Sequence, residues 1–166
     1  MAQYKSGYKR KGNDDRFFTY LIVSIAAFFV LVLGGIGIYT IVNPALNYDD
    51  FKDVTIERYA EITQMPEDQY IVYYYGVECG HCIEIKQDVL NFANQNEANI
   101  KVYLLESSSD DFANNNITHP VTGRQMSGTP SMVTVVNGVV VDLNVGRDVV
   151  VDLIDKINEG SYSLID

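Results

Sequence analysis

The sequence contains few of the side chains that bind transition metals. Its 166 residues include two cysteines, Cys79 and Cys82, and two histidines, His81 and His119. A structural zinc site usually needs four such ligands, and His81 is confined between the two cysteines in sequence. We therefore expect no metal and no other cofactor. The remaining interpretations of the Cys-x-x-Cys pair are a redox centre, which the pattern favours, and an inert structural disulfide.

Charged residues are missing from a long stretch, residues 17–48. Its centre, residues 20–42, is almost wholly apolar and is longer than the roughly 20 residues that a helix needs to cross a bilayer. We predict a transmembrane signal anchor at residues 17–42. A cleaved signal peptide is the alternative, but such a peptide usually has a shorter apolar region and an Ala-x-Ala cleavage site, which is not evident here.

The charge is distributed unevenly along the chain. Residues 1–16 carry five basic and two acidic side chains, a net charge of +3, so the remainder carries −13 and the whole chain −10. A basic flank stays in the cytoplasm, which predicts a cytoplasmic tail at residues 1–16, a tether at 43–50 and an extracytoplasmic domain at 51–166. An acidic domain disfavours nucleic-acid binding. The basic, apolar N-terminal region and the absence of an endoplasmic-reticulum retention signal at residues 164–166 favour a bacterial cell membrane.

The two cysteines stand where one periodicity gives way to another. A β-rich apolar run, Tyr70–Tyr75, stops at Gly76, and Ile85, Val89 and Phe92 then follow helical spacing. This pattern predicts a strand, a short turn, the cysteine pair and a helix. At the start of a helix, free backbone N–H groups and the helix dipole favour a thiolate. Cys79 is therefore predicted to attack, Cys82 to resolve the mixed disulfide, and His81 to add positive charge when protonated.

The segment Tyr74–Cys82 resembles the active-site segment of the thioredoxin superfamily, and the tetrad Cys-Gly-His-Cys is typical of its protein disulfide isomerase domains. The segment Gly128–Ser131 is similar to the cis-proline loop of the same family. The resemblance covers about residues 51–160. It implies an α/β, thioredoxin-like fold in which helices flank a mixed central sheet, here preceded by one N-terminal transmembrane helix. It also implies that Pro130 lies beside the cysteines and that the backbone of Thr129 binds substrate.

Two positions depart from the family pattern. Many thioredoxin-like proteins have a buried acid where this chain has Tyr73, and a tryptophan where it has Glu78. A carboxylate beside Cys79 would disfavour its thiolate unless solvent screens the charge. These departures bear on the reduction potential more than on the exchange chemistry.

The rest of the domain is predicted from shorter patterns, in chain order. We expect an edge strand at Phe51–Thr55, a helix capped by Thr55 that runs to Ile62, a strand at Ile100–Leu105, a short helix near Asp110–Asn114, a hairpin turning at Asn137-Gly138 and a last helix at Val149–Ile157.

These features predict an enzyme, a membrane-tethered extracytoplasmic thiol–disulfide oxidoreductase. Oxidation or isomerisation is favoured over reduction because of His81. We expect its partners to be exported proteins with thiols or disulfides and a redox recycling partner, for which a membrane protein is a candidate. The alternative is a non-enzymatic thioredoxin-like module that serves an export or envelope assembly as an accessory or scaffold.

Overall fold

The computed structural model describes residues 14–42, 44–96, 99–108 and 117–162. The chain forms two compact units, Met1–Ala45 and Leu46–Asp166. Of the predicted tail, residues 1–13 lie outside the described residues. The first unit contains helix α1, Asp14–Val42, in which the stretch Arg16–Tyr39 has a mean hydropathy of 2.7 and exposed apolar side chains. α1 is long and apolar enough to cross a membrane once. A signal sequence has a similar length and composition.

The second unit is built on one mixed five-stranded sheet. Its strands are β1 (Thr55–Ile56), β2 (Gln69–Tyr75), β3 (Lys101–Glu106), β4 (Ser131–Val136) and β5 (Val139–Val145), in the spatial order β1-β3-β2-β4-β5. Strands β1, β3 and β2 run parallel, whereas β4 is antiparallel to both β2 and β5. The described residues of this unit form two α-helices, α2 (Gly80–Asn96) and α3 (Arg147–Asn158). The predicted α/β class with a mixed sheet and flanking helices is confirmed.

Strand β2 lies in the middle of the sheet and is buried on both faces. Alternate side chains of β2, Ile71 and Tyr73 among them, pack with α2 and α3 in one apolar cluster. The intervening ones, such as Val72, pack with Ile117 and Met126 on the opposite face. A strand covered on both faces needs apolar side chains at every position, which explains the unbroken apolar run that ends at Gly76.

The predicted hairpin is confirmed at Asn137-Gly138. These residues have φ angles of 49° and 73°, and a type I′ turn needs positive φ at both positions. The strand predicted at Ile100–Leu105 is observed as β3, and the last helix as α3. The helix predicted near Asp110–Asn114 lies outside the described residues.

The prediction for residues 51–62 is wrong. The chain forms a 3₁₀ helix at Tyr48–Val54, and only Thr55–Ile56 pair in the sheet. The Thr55 hydroxyl donates to the carbonyl of Phe51 at 2.9 Å, so Thr55 closes the preceding turn and does not cap a following helix. A single 3₁₀ turn, Tyr59–Glu61, replaces the predicted helix, because the Glu61 carboxylate accepts the N–H groups of the two residues before that turn.

Candidate active site

The Cys-x-x-Cys pair lies at the junction between β2 and α2, as the sequence predicts. β2 ends at Tyr75, Gly76 is buried, and the N–H of Cys79 donates to the carbonyl of Gly76 at 3.2 Å. Helix α2 begins at Gly80, so Cys79 immediately precedes its first turn. The first turn of a helix has free N–H groups, and these would stabilise a thiolate at Cys79.

The two cysteines form a disulfide, and they differ in how far each is exposed to solvent. Their Cα atoms are 5.2 Å apart. Cys82 is fully buried, whereas Cys79 is partly exposed. The backbone N–H of Cys82 also lies 3.2 Å from the Cys79 Sγ atom. Because a thiol or disulfide partner must reach the sulfur directly, only Cys79 is open to attack from outside.

The loop that contains Thr129 and Pro130 lies against the disulfide. The Thr129–Pro130 peptide is cis, as the resemblance implied, and Pro130 is buried. The Cys79 Sγ atom lies 3.6 Å from the carbonyl oxygen of Thr129. The loop is held from both sides, since the hydroxyl of Ser131 donates to the carbonyl of Gly128 at 2.6 Å and the N–H of Gly146 donates to the carbonyl of Pro130 at 2.8 Å. The fold thus brings Thr129 beside Cys79; substrate binding there stays a prediction.

His81 lies on the exposed side of α2. Its Nδ1 atom is 3.5 Å from a carboxylate oxygen of Glu84, which also accepts a hydrogen bond from Arg147 at 2.7 Å. The hydrogen bond from Arg147, and then that from His81, lowers the pKa of Glu84. A protonated His81 would therefore lie beside the negative charge of Glu84, which weakens its electrostatic effect on Cys79. The predicted catalytic contribution of His81 stays a prediction.

Tyr73 occupies the position where a buried acid was expected in the family. Its side chain is fully buried, packs in the same apolar cluster as Cys82, and stacks on Tyr75 with ring centroids 5.8 Å apart. Burial, and then the Tyr48 hydroxyl, raises the pKa of Tyr73 far above its usual value. Tyr73 therefore stays neutral throughout the physiological range and does not supply the carboxylate that the family has at this position. Glu78, in contrast, is exposed to solvent.

The end of β3 also reaches the site, and the sequence analysis missed it. A cleft of about 290 Å³ opens beside Cys79, and its lining includes Glu106, Ser107 and Ser108. Ser107 is tied to β2 through its N–H, which donates to the carbonyl of Tyr75 at 2.7 Å. The carboxyl ends of parallel strands meet at one edge of a sheet. The expectation that β3 runs parallel to β2 would have been enough to place these residues near the cysteines.

Among the described residues, no group of three His, Cys, Asp or Glu side chains is placed to hold a metal ion.

The sequence matches no protein-family model and no curated protein. Among solved structures it is similar to a thioredoxin from Trypanosoma brucei brucei, with 14% identity, 64% of this chain and 88% of that chain covered, and a TM-score of 0.49. It is also similar to mitochondrial thioredoxin 3 from Saccharomyces cerevisiae, with 16% identity, 64% and 93% covered, and a TM-score of 0.48. For a mutant thioredoxin from Halobacterium salinarum the identity is 21%, the shares are 68% and 93%, and the TM-score is 0.46.

At such identities a similarity concerns the fold alone, and these TM-scores are too low to decide it. The fold follows instead from this chain's own strand order, from the cysteine pair between β2 and α2, and from the cis peptide that precedes β4. With these features, the unit Leu46–Asp166 has a thioredoxin-like fold that carries a Cys-x-x-Cys disulfide at the start of α2.

Proposed function

We propose that the chain is a thiol–disulfide oxidoreductase that acts outside the cytoplasm and is held at a membrane by α1. One observation carries the proposal: the partly exposed Cys79 precedes the first turn of α2 in a disulfide with the buried Cys82, beside the cis Thr129–Pro130 peptide. A purely structural disulfide gains nothing from a helix N-terminus or from one accessible sulfur. Thiolate exchange uses both.

The exchange runs in two balanced steps. A substrate thiolate attacks the Cys79 sulfur, the bond between Cys79 and Cys82 breaks, and Cys82 leaves as a thiolate that takes up a proton. A second substrate thiolate then attacks the substrate sulfur of this mixed disulfide, which oxidises the substrate by two electrons and releases Cys79. In the reducing direction the Cys79 thiolate attacks a substrate disulfide, and Cys82 resolves the mixed disulfide that results.

The location is supported by α1 and by the charge on either side of it. Residues 1–16 carry a net charge of +3, and the chain after α1 is acidic, which favours an N-terminus in the cytoplasm. A disulfide persists on the opposite side of the membrane. The substrates would be exported proteins with thiols or disulfides, and a separate redox partner would return the cysteine pair to its working state.

Single-cysteine variants test the exchange. We expect the full-length chain in detergent to reduce a model peptide disulfide once its own disulfide is reduced. Cys79→Ser should abolish this activity, and Cys82→Ser should stop at a mixed disulfide that a mass shift of one peptide reveals. If Cys79→Ser remains active, the assignment of the nucleophile is wrong. If Cys79→Ser/Cys82→Ser remains fully functional in cells, the non-enzymatic accessory role replaces this proposal.

The direction of the reaction in the cell follows from the reduction potential of the pair. Equilibration against glutathione should give about −120 to −180 mV for an oxidase or isomerase, and about −270 mV for a thioredoxin-like reductase. Location is measured separately, by digesting intact cells from outside with a protease. The cells are first stripped of any outer membrane. Loss of residues 46–166 is then expected, and protection that disappears on lysis with detergent would place the domain in the cytoplasm.

A further inference from the structure

The cleft beside Cys79 is lined by acidic side chains and by no basic ones. Three parts of the chain form it: the turn after β2, the end of β3 and the loop before β4. The charged residues that line it are Glu78 and Glu106, and the remaining lining residues, including the disulfide-bonded Cys79, are neutral. Glu78 is exposed and Glu106 is partly exposed, and both line the cleft that opens beside Cys79.

No cation of the described residues neutralises these two carboxylates. Glu106 accepts a hydrogen bond from the neutral hydroxyl of Ser108 at 2.9 Å, and neither Glu106 nor Glu78 takes part in an ion pair there. The sequence explains this, because it has no Lys or Arg between residues 58 and 86, between 101 and 124, or between 124 and 147. These intervals contain all three parts of the chain that form the cleft.

Arg147 of α3 and His81 of α2 face carboxylates other than Glu78 and Glu106. Arg147 donates to Glu84 and to Asp148, at 2.7 and 2.8 Å. His81 also faces Glu84, and it does not line the cleft. In the part of the chain that the structure describes, Glu78 and Glu106 are thus not paired with a cationic side chain.

We propose that Glu78 and Glu106 make this site selective for substrate cysteines that are flanked by Lys or Arg, that is, for basic polypeptide segments. The proposal rests on the proposed function and names its substrate class. Formation of a mixed disulfide with Cys79 brings the residues next to the substrate cysteine into the cleft. Complementary charge there speeds encounter and disfavours acidic segments of the same length.

The same carboxylates act on Cys79 itself, and the two effects are separable. A negative charge beside Cys79 disfavours its thiolate whatever the substrate is, so removing it changes the rate with every peptide by one common factor. Selectivity appears only in the ratio of rates between a basic and an acidic peptide. That ratio is therefore the quantity to measure.

The test uses reduced full-length protein in detergent and three peptides. In each peptide one cysteine is flanked by two Lys, two Gln or two Glu, and is joined by a disulfide to the same neutral fluorescent thiol. The Cys79 thiolate attacks the peptide sulfur, the fluorescent thiol leaves and takes up a proton, and Cys82 then releases the reduced peptide. Both electrons come from the enzyme's own dithiol. Rates with dithiothreitol correct for the intrinsic reactivity of each peptide.

We expect the corrected ratio of the Lys-flanked to the Glu-flanked peptide to be about tenfold at low ionic strength, since exposed charge pairs contribute factors of roughly two to five each. The ratio should fall to about one in 1 M salt, where the screening length is about 3 Å. Glu78→Gln/Glu106→Gln should lower it to about the same value without added salt. Asp88→Asn is the matched control, because it removes one charge from an exposed position of α2 that does not line the cleft; it should leave the ratio unchanged.

A wild-type ratio near one, together with normal exchange of the Gln-flanked peptide, would overturn the selectivity and leave the proposed function standing. An unchanged ratio in the double Gln variant, or an equal loss in Asp88→Asn, would also overturn it, because the net charge of the domain would then be the cause. Failure to exchange with any of the peptides would refute the proposed function itself.

Discussion

Two glycines flank Cys79 closely in sequence, and the space around them differs. A Cβ atom at Gly76 would lie 2.9 Å from the Ser107 Oγ atom, 3.3 Å from the Cys79 Cβ atom and 3.6 Å from the Thr129 Oγ1 atom. A Cβ atom at Gly80 would meet nothing within 4 Å. Gly76→Ala therefore tests whether the close packing of β2, β3 and the loop before β4 positions Cys79, and Gly80→Ala is its control.

We expect Gly76→Ala to destabilise the domain and to slow exchange. The approach of 2.9 Å is to the hydroxyl of Ser107, which is exposed and can turn away, whereas the approach of 3.3 Å is to the Cβ atom of Cys79. Cys79 must therefore move by a few tenths of an ångström, which we expect to cost about 1 kcal/mol and to shift the reactive sulfur as well. Since a misplacement of about 1 Å can cost on the order of 100-fold in rate, a shift of a few tenths of an ångström should slow exchange about tenfold.

Gly80→Ala should behave differently because its Cβ atom has room. Gly80 is the first residue of α2, and replacing a helical Gly by Ala stabilises by up to about 1 kcal/mol. The measurements are urea unfolding and the exchange rate with the Gln-flanked peptide, both on the fragment of residues 46–166, which forms a compact unit. Exchange by Gly80→Ala should stay within about twofold of the wild type.

A second variant shows which contact is responsible. Ser107→Ala removes the atom at 2.9 Å, but this exposed hydroxyl can already turn away, so Gly76→Ala/Ser107→Ala should recover less than half of the free energy of unfolding that Gly76→Ala loses. If Gly76→Ala matches Gly80→Ala in both measurements, the cleft is not closely packed at Gly76. If the double variant recovers more than half, Ser107 and not Cys79 is the group that resists the added methyl.

Two buried tyrosines of β2 give further predictions. The Tyr73 hydroxyl is buried and, within the described residues, makes no hydrogen bond of normal geometry; Tyr73→Phe should therefore leave the free energy of unfolding unchanged or raise it by about 1 kcal/mol, and a loss above about 1 kcal/mol would show that the hydroxyl has a partner. Burial, and then Glu106, raises the pKa of Tyr75 from 10.0 to about 12. A raised folded-state pKa gives stability that is complete below pH 10 and is lost as the pH rises toward 12. Tyr75→Phe should thus make the alkaline decline shallower by up to about 1.4 kcal/mol per pH unit, measured by urea unfolding at pH 9 to 11.5; an unchanged slope would contradict the assigned pKa.

Much of the fold is predictable from the sequence because its signals are local. The apolar run Tyr70–Tyr75, the helical spacing after Cys82 and the Asn137-Gly138 turn each depend on residues within one element. Local backbone preferences and burial patterns act on the same short range. β2, α2 and the β4–β5 hairpin therefore occur where they were expected.

Residues 51–62 show where local reasoning fails. A threonine before an apolar segment is a typical helix start, and Thr55 has that position in sequence. Its hydroxyl instead bonds backward to Phe51, and the next residue, Ile56, pairs with Leu105 in the sheet. The Thr55 hydroxyl could bond backward to Phe51 or forward to cap a helix. The outcome depends on whether β3 is available to pair with Ile56, and no pattern within residues 51–62 contains that information.

The candidate site divides in the same way. The sequence by itself determined the redox pair, its place between a strand and a helix, the proline loop as a second element, and an apolar segment long enough to cross a membrane. The tertiary structure alone decided that His81 faces Glu84, and that Glu106 and Ser107 join Glu78 beside the sulfur. The physical reason is distance along the chain. Thr129 lies 50 residues from Cys79 in sequence, and residues so far apart become neighbours only when the core of the sheet packs and brings the ends of its strands together.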